Sequence, residues 1–78
     1  MPNIELLKEK ISDSGMTMVA LSRKSHIKRE TLYNRLAGLG EFKISEVVGL
    51  TSALGLTKSE KEKIFFNNGS VTLNQKGE

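Results

Sequence analysis

The stretch from Thr17 to Gly38, TMVALSRKSHIKRETLYNRLAG, constrains the fold more than any other part of the chain. Its pattern predicts two short helices, the first opening at Thr17 as N-cap and the second ending at Gly38. The helical pattern is interrupted over residues 25–27, which places a tight turn there and leaves Ile27 as an apolar plug. The rest of the chain is expected to hold this pair of helices rigid.

Positive charge is concentrated around this stretch. Residues 17–45 contain six basic and two acidic side chains, a net charge of +4, whereas the whole chain carries +3. The spacing is that of a helix-turn-helix, whose second helix enters the DNA major groove, and clustered basic charge is the electrostatic footprint of phosphate binding. The alternative is a solvated basic face without a partner.

Size and composition exclude several classes of protein. A chain of 78 residues forms one small domain, which buries only about 60% of its unfolded surface and has no room for a deep substrate cleft. With no cysteine and one histidine, disulfides and the usual zinc sites are excluded. No pair of carboxylates has acid–base spacing, and Gly38-Leu39-Gly40 lacks the context of a phosphate-binding loop. We expect no enzyme, cofactor, metal or small-molecule substrate.

The apolar runs are short, and the chain does not open with a basic segment followed by an apolar one. A membrane span and a signal peptide are therefore not expected. The absence of cysteine fits a reducing compartment. We expect a cytoplasmic protein.

Three further helices are predicted around the central pair. The first runs from Asn3 to Ser14 with an apolar stripe and stops at Gly15. The fourth runs from about Ile44 to Leu54, and the fifth starts behind the capping box of residues 57–60 and ends near Phe66. The fold class is therefore all-α, a compact five-helix bundle. We place the domain at residues 1–66 and a C-terminal tail at 67–78, with a short extended segment at 71–73 and a frayed end.

The helix faces follow from the same periodicity. In helix two, Val19 or Ala20 is expected to face inward together with Leu21. In helix four the apolar residues are Ile44, Val47, Val48, Leu50 and Leu54. This makes helix four the expected centre of packing, although Gly49 costs about 1 kcal/mol relative to alanine.

The order and spacing of several residues resemble the Cro/phage-repressor (Xre-type) helix-turn-helix DNA-binding family. The matching positions are Thr17, Leu21, Ser22, Ile27, Leu32, Gly38 and the segment 53–57. The resemblance implies a lambda-repressor-like bundle that binds double-stranded operator DNA, usually as a homodimer. It also implies a transcription regulator or repressor of phage or mobile-element type.

Four positions depart from that family. His26 stands where the family prefers glycine in the turn, at a position that needs a positive φ. Ser22 replaces the usual alanine. Lys28 stands where Ser or Thr commonly caps the third helix, so that cap is lost at a cost of about 0.5–2 kcal/mol. Arg35 occupies an often apolar position, and Leu36 is expected to take over its packing role.

The resemblance assigns the outward side of helix three, beginning at about residue 28, to base contacts. The candidates are Arg29, Glu30 and Asn34, flanked by Lys28 and Tyr33. Arg29 suits guanine, Asn34 suits adenine, and Glu30 can accept from a cytosine amino group or simply stabilise the helix dipole. Lys28 and Tyr33 are expected to contact phosphate or a thymine methyl, and the alternative for Tyr33 is partial packing against helix two. Thr31, Leu32 and Leu36 are expected to be buried.

Phosphate anchoring is expected at the start of helix two, where the Thr17 hydroxyl and the free amides of Met18 and Val19 can meet a backbone oxygen. Arg23, Arg35 and Lys43 are further candidates. Each of these three is equally compatible with a solvated surface charge. His26 is interpreted as a turn residue, although it could titrate beside a phosphate.

A second hypothesis is a protein-interaction module, such as an antitoxin or an adaptor with the same fold. Its surface would be the apolar end of the chain, Phe65, Phe66, Val71 and Leu73. The alternative is that one of the two phenylalanines folds back onto helix one. No residue pattern selects the operator, the sign of regulation or the oligomeric state.

Overall fold

The computed structural model describes residues 2–66, which form five helices and no strand. They are α1 (Ile4–Ser14), α2 (Met18–Ser25), α3 (Arg29–Leu36), α4 (Ile44–Leu54) and α5 (Lys58–Phe65). The predicted all-α class is thereby confirmed, and the predicted boundaries agree to within a residue or two. The extended segment and frayed end predicted for the tail lie outside the described residues. Within residues 2–66, no helix combines the length and the apolar character needed to cross a membrane.

Side-chain caps explain where three of the helices begin. Asn3 Oδ1 accepts from the Leu6 amide and Thr17 Oγ1 from the Ala20 amide, each at 3.1 Å. At α5 the predicted capping box is present, since Thr57 Oγ1 accepts from the Glu60 amide and Glu60 Oε1 accepts from the Thr57 amide. These bonds satisfy amides that a helix leaves without an internal partner.

The core draws one or two residues from every helix and one from the α2–α3 turn. Its buried apolar members are Leu7, Leu21, Ile27, Leu32, Val47, Leu50, Ile64 and Phe65. The chain ends of this region meet as well, because the Asn3 amide donates to the Ile64 carbonyl at 2.6 Å. These contacts join α1 and α5 to each other and to the core.

On α2 the structure selects one of the two predicted alternatives, since Ala20 is half-buried and Leu21 buried while Val19 is 43% exposed. On α4 two of the apolar residues lie outside the core, because Ile44 is 61% exposed and Val48 60%. The buried side of α4 is set by Val47 and Leu50, which pack in the core. At about 100° per residue, Val48 is about 160° around the helix from Leu50 and Ile44 about 120°, so both point away from the direction that Leu50 takes into the core. The apolar composition of α4 therefore exceeds what the core covers.

Candidate nucleic-acid interface

The side of α3 that faces away from the core is polar and exposed. Its exposed members are Arg29, Glu30, Tyr33 and Asn34, which we call the outer α3 face. Leu32 lies behind them with 1% of its surface accessible, and Tyr33 is 55% exposed. The spacing of these residues, at i, i+1, i+4 and i+5, places them along one side of the helix. The predicted outward direction of these four side chains is thus confirmed, while contact with bases stays a prediction.

Lys28 precedes the helix as its N-cap and is exposed. No side-chain hydrogen bond caps α3, as its replacement of Ser or Thr predicts. The first amides of α3 are therefore left to solvent or to a ligand. Thr31 and Leu36 are half-buried rather than buried, and Leu36 packs against the core as expected.

The turn between α2 and α3 has a defined geometry. His26 adopts φ 61° and ψ 33°, the left-handed conformation predicted for a position that commonly holds glycine. The next residue, Ile27, is buried as the expected plug. Its carbonyl accepts from the Ser22 hydroxyl at 2.5 Å, and its amide donates to the Ser22 carbonyl at 3.2 Å. Ser22 thus joins α2 directly to the residue that leads into α3.

The start of α2 has the features expected of a phosphate contact. Thr17 is exposed, and its hydroxyl oxygen accepts from the Ala20 amide. The amides of Met18 and Val19 belong to the first helical turn, where the helix itself offers no acceptor. These free amides form the positive end of the helix dipole, which favours an anion.

Arg35 was expected to contact phosphate, but its side chain bonds within the protein. Its Nε donates to Glu46 Oε1 at 3.0 Å and its Nη2 to Oε2 at 3.3 Å. Its Nη1 donates to the Leu39 carbonyl at 3.3 Å, and the side chain is only 15% exposed. Because the guanidinium donates all of these bonds within the protein, we remove Arg35 from the phosphate-contacting set.

A cleft of about 480 Å³ opens between the α2–α3 turn and the first two turns of α4. Its polar lining consists of Ser25, His26, Lys28, Thr31, Lys43, Ser45 and Glu46. The structure therefore brings together Lys28 and Lys43, which are 15 residues apart in sequence. Both lysines are exposed, and neither forms an ion pair within residues 2–66. Arg23 is exposed near the end of α2 and does not line this cleft.

Glu46 lines the cleft but was not among the residues predicted to form a site. Burial by itself would raise the pKa of the Glu46 carboxyl, but hydrogen bonds from the Lys43 amide and from Arg35 outweigh it, so the pKa lies below the ordinary value of 4.5. The group is therefore a carboxylate at neutral pH. One signal was available in the sequence, since a glutamate three residues after a helix start is half of a capping box.

The surface predicted for a protein-interaction module is only partly available. Phe65 is buried, with its ring 5.2 Å from that of Phe42 in an edge-to-face arrangement. Phe66 is half-buried and packs against the core. Neither phenylalanine is thus a free apolar side chain, and Val71 and Leu73 lie outside the described residues.

Compared with protein-family models, curated proteins and solved structures, the chain shows no match.

Proposed function

We propose that this chain is a sequence-specific DNA-binding transcription regulator that contacts the major groove with α3. The observation that carries the proposal is the outer α3 face, where Arg29, Glu30 and Asn34 lie exposed on one side of a helix braced by Leu32. An α-helix fits the major groove, and these side-chain types match the donor and acceptor patterns of base edges.

The positions of the remaining polar groups support the same orientation on DNA. The start of α2, with Thr17 and the Met18 amide, offers one phosphate contact, and Lys28 with Lys43 offers another at the cleft. Phosphate contacts beside a helix that enters a groove fix its register and orientation without specifying sequence. Arg23 is a further candidate that could add affinity through charge.

We further propose that the regulator acts as a homodimer in the cytoplasm, in the manner of the phage or mobile-element repressors that it resembles. An eight-residue helix is about 12 Å long and spans only a few base pairs. A single domain would therefore bind weakly. Two copies on half-sites about 34 Å apart, or a multiple of that, would restore affinity and predict a symmetric operator.

Selection from a random duplex library tests this proposal directly. The expected result is an enriched motif with two inverted half-sites, bound with an affinity that falls steeply as salt rises. Fluorescence anisotropy on the selected duplex and on a scrambled one then gives the specificity ratio. Equal binding to both duplexes, or no binding to either at low salt, would contradict the proposal.

A second candidate is a protein-interaction module such as an antitoxin or an adaptor. The specific observation in its favour is the exposed pair Ile44 and Val48, one turn apart on α4 and each about 60% exposed. Replacing both with threonine tests it by sedimentation velocity with and without operator DNA. Loss of an assembly with DNA affinity unchanged would favour the interaction module, whereas no change in sedimentation would dismiss it.

A further inference from the structure

Arg35 connects three parts of the chain through one side chain. It projects from the last turn of α3 and donates two roughly parallel hydrogen bonds to the Glu46 carboxylate in the first turn of α4. Its third nitrogen donates to the Leu39 carbonyl in the intervening loop. A planar guanidinium can donate in this fork geometry, whereas a lysine ammonium cannot match both carboxylate oxygens and the carbonyl at once.

The Glu46 carboxylate that binds Arg35 also accepts a hydrogen bond from the Lys43 amide. The oxygen Oε1 that accepts from Arg35 Nε also accepts from the Lys43 amide, and both distances are 3.0 Å. The Lys43 side chain has no acceptor atom and cannot cap α4 itself. The Glu46 half of a capping box therefore defines the start of α4, and Arg35 holds the carboxylate that forms it.

The loop backbone is shaped around the guanidinium. Gly40 adopts φ +77°, and a Cβ at this position would come within 2.5 Å of Arg35 Nη1. Glycine suits this position by its conformation, and a larger residue would displace the guanidinium from the place it occupies. The side chains of Arg35 and Glu46 are only 15% and 10% exposed, so water competes little for these bonds.

We propose that Arg35 is a positioning residue, which through Glu46 fixes Lys43 and the first turn of α4 relative to the outer α3 face. This inference rests on the proposed DNA-binding function and assigns Arg35 a role in it without contact with DNA. Its consequence is geometric, because Lys43 and Lys28 can meet phosphate together only while α3 and α4 keep their relative placement. The ion pair also neutralises the one carboxylate that lines the cleft.

Two variants separate position from charge. R35K keeps the net charge and loses the fork, whereas E46Q makes the domain more positive by one charge. If net charge alone governed binding, R35K would bind selected DNA as wild type does and E46Q would bind more tightly. Positioning predicts that both bind roughly three- to tenfold more weakly, within the range seen for coupled contacts. The slope of log K against log salt should become shallower by about 0.9 as the Lys43 contact is lost.

The matched control is E62Q, which makes the same charge change on an exposed residue of α5 outside the cleft. It is expected to bind DNA as wild type or slightly more tightly. Binding is measured below the thermal transition of every variant. Wild-type affinity and salt slope in R35K, or tighter binding by E46Q than by E62Q, would overturn the positioning role.

Amide hydrogen exchange of the DNA-free protein provides the second readout. The Lys43 amide is expected to exchange at least several-fold faster in R35K and E46Q, while the Leu50 amide in the middle of α4 keeps its wild-type protection. Unchanged exchange at Lys43, or equal loss at both amides through global unfolding, would contradict the inference. A wild-type protein that binds no duplex would overturn the proposed function, and the exchange result would still decide whether Arg35 positions Lys43.

Discussion

Gly49 in the middle of α4 lies against the carbonyl oxygen of Ser25 at the end of α2, so closely that a Cβ at position 49 would overlap that oxygen. The two helices therefore pack with backbone in contact at this point. Ser25 is itself buried, with 2% of its surface accessible. This contact explains why the most apolar helix of the chain contains a glycine, which the sequence pattern alone marks as a cost.

Replacing Gly49 with alanine is expected to destabilise the protein, although alanine is the better helix former. Helix propensity alone would stabilise α4 by about 1 kcal/mol. The added methyl has no space and forces α2 and α4 apart, which typically costs about 1–3 kcal/mol and more against rigid backbone. We expect a net loss of about 1–2 kcal/mol in urea unfolding. S52A on the exposed side of α4 should change little, and a stabilised G49A would refute the contact.

Replacing His26, the turn residue with left-handed backbone conformation, with glycine is expected to stabilise the protein. A non-glycine L-residue at positive φ costs about 1–2 kcal/mol, which glycine would remove. Glycine also increases the entropy of the unfolded chain, which offsets part of this gain. H26G should therefore raise the free energy of unfolding by about 0.5–1 kcal/mol. H26V should lower it, since a β-branched residue rarely adopts this conformation. Thermal unfolding of the pair checks the sign, and a destabilised H26G would show that the imidazole contributes more than its backbone costs.

Arg29 and Arg23 are expected to contribute to DNA binding in different ways. R29A should cost about 1–3 kcal/mol on the selected operator and relax preference at one base pair, because a bidentate contact to guanine is lost. R23A should weaken binding to all sequences alike and make the salt slope shallower by about 0.9. Competition anisotropy against single-base-pair variants separates the two. Equal losses for both variants on every duplex would disprove this division.

Two ion pairs set the pH range over which the protein is most stable, and stability should decrease on either side of it. The pKa of Glu60 is lowered chiefly by its hydrogen bond from Lys10, 2.6 Å away, and the pKa of Glu46 is lowered as described above. A carboxylate with a lowered pKa stabilises the fold above its ordinary value of 4.5, and this contribution disappears as the pH falls through the folded-state pKa. The free energy of unfolding should therefore decrease below about pH 4.5.

The same Lys10–Glu60 pair accounts for the expected loss of stability at alkaline pH. The bond to Glu60 raises the pKa of Lys10 above 10.5, so its contribution is complete below that value and disappears as the pH rises through the raised pKa. E60Q should flatten the alkaline arm and part of the acid arm, whereas E46Q should flatten the other part of the acid arm and leave the alkaline arm unchanged. Urea unfolding at several pH values tests this, and an alkaline arm that survives in E60Q would exclude the pair as its source.

Much of the fold was predictable because it depends on neighbours in sequence. Caps at Asn3, Thr17 and Thr57 bond to amides three residues later, and Gly15 and Gly55 end helices through their own backbone conformation. Such signals act within one helical turn, so they can be recognised without knowledge of the packing. The outward direction of Arg29, Glu30 and Asn34 was predictable for the same reason, from the position of Leu32 in one helical period.

The tertiary structure alone decided what depends on contacts between helices. Ile44 and Val48 belong to the apolar set that made α4 the expected centre of packing, and Arg35 was a candidate for phosphate. In the structure the first two are exposed and the third bonds Glu46. Periodicity identifies an apolar or charged side chain but not the element that meets it, since that partner is distant in sequence and is chosen by how the helices cross. Local sequence therefore determined the five helices and the exposed polar side of α3. Packing determined which charged side chains form bonds within the protein and which stay exposed.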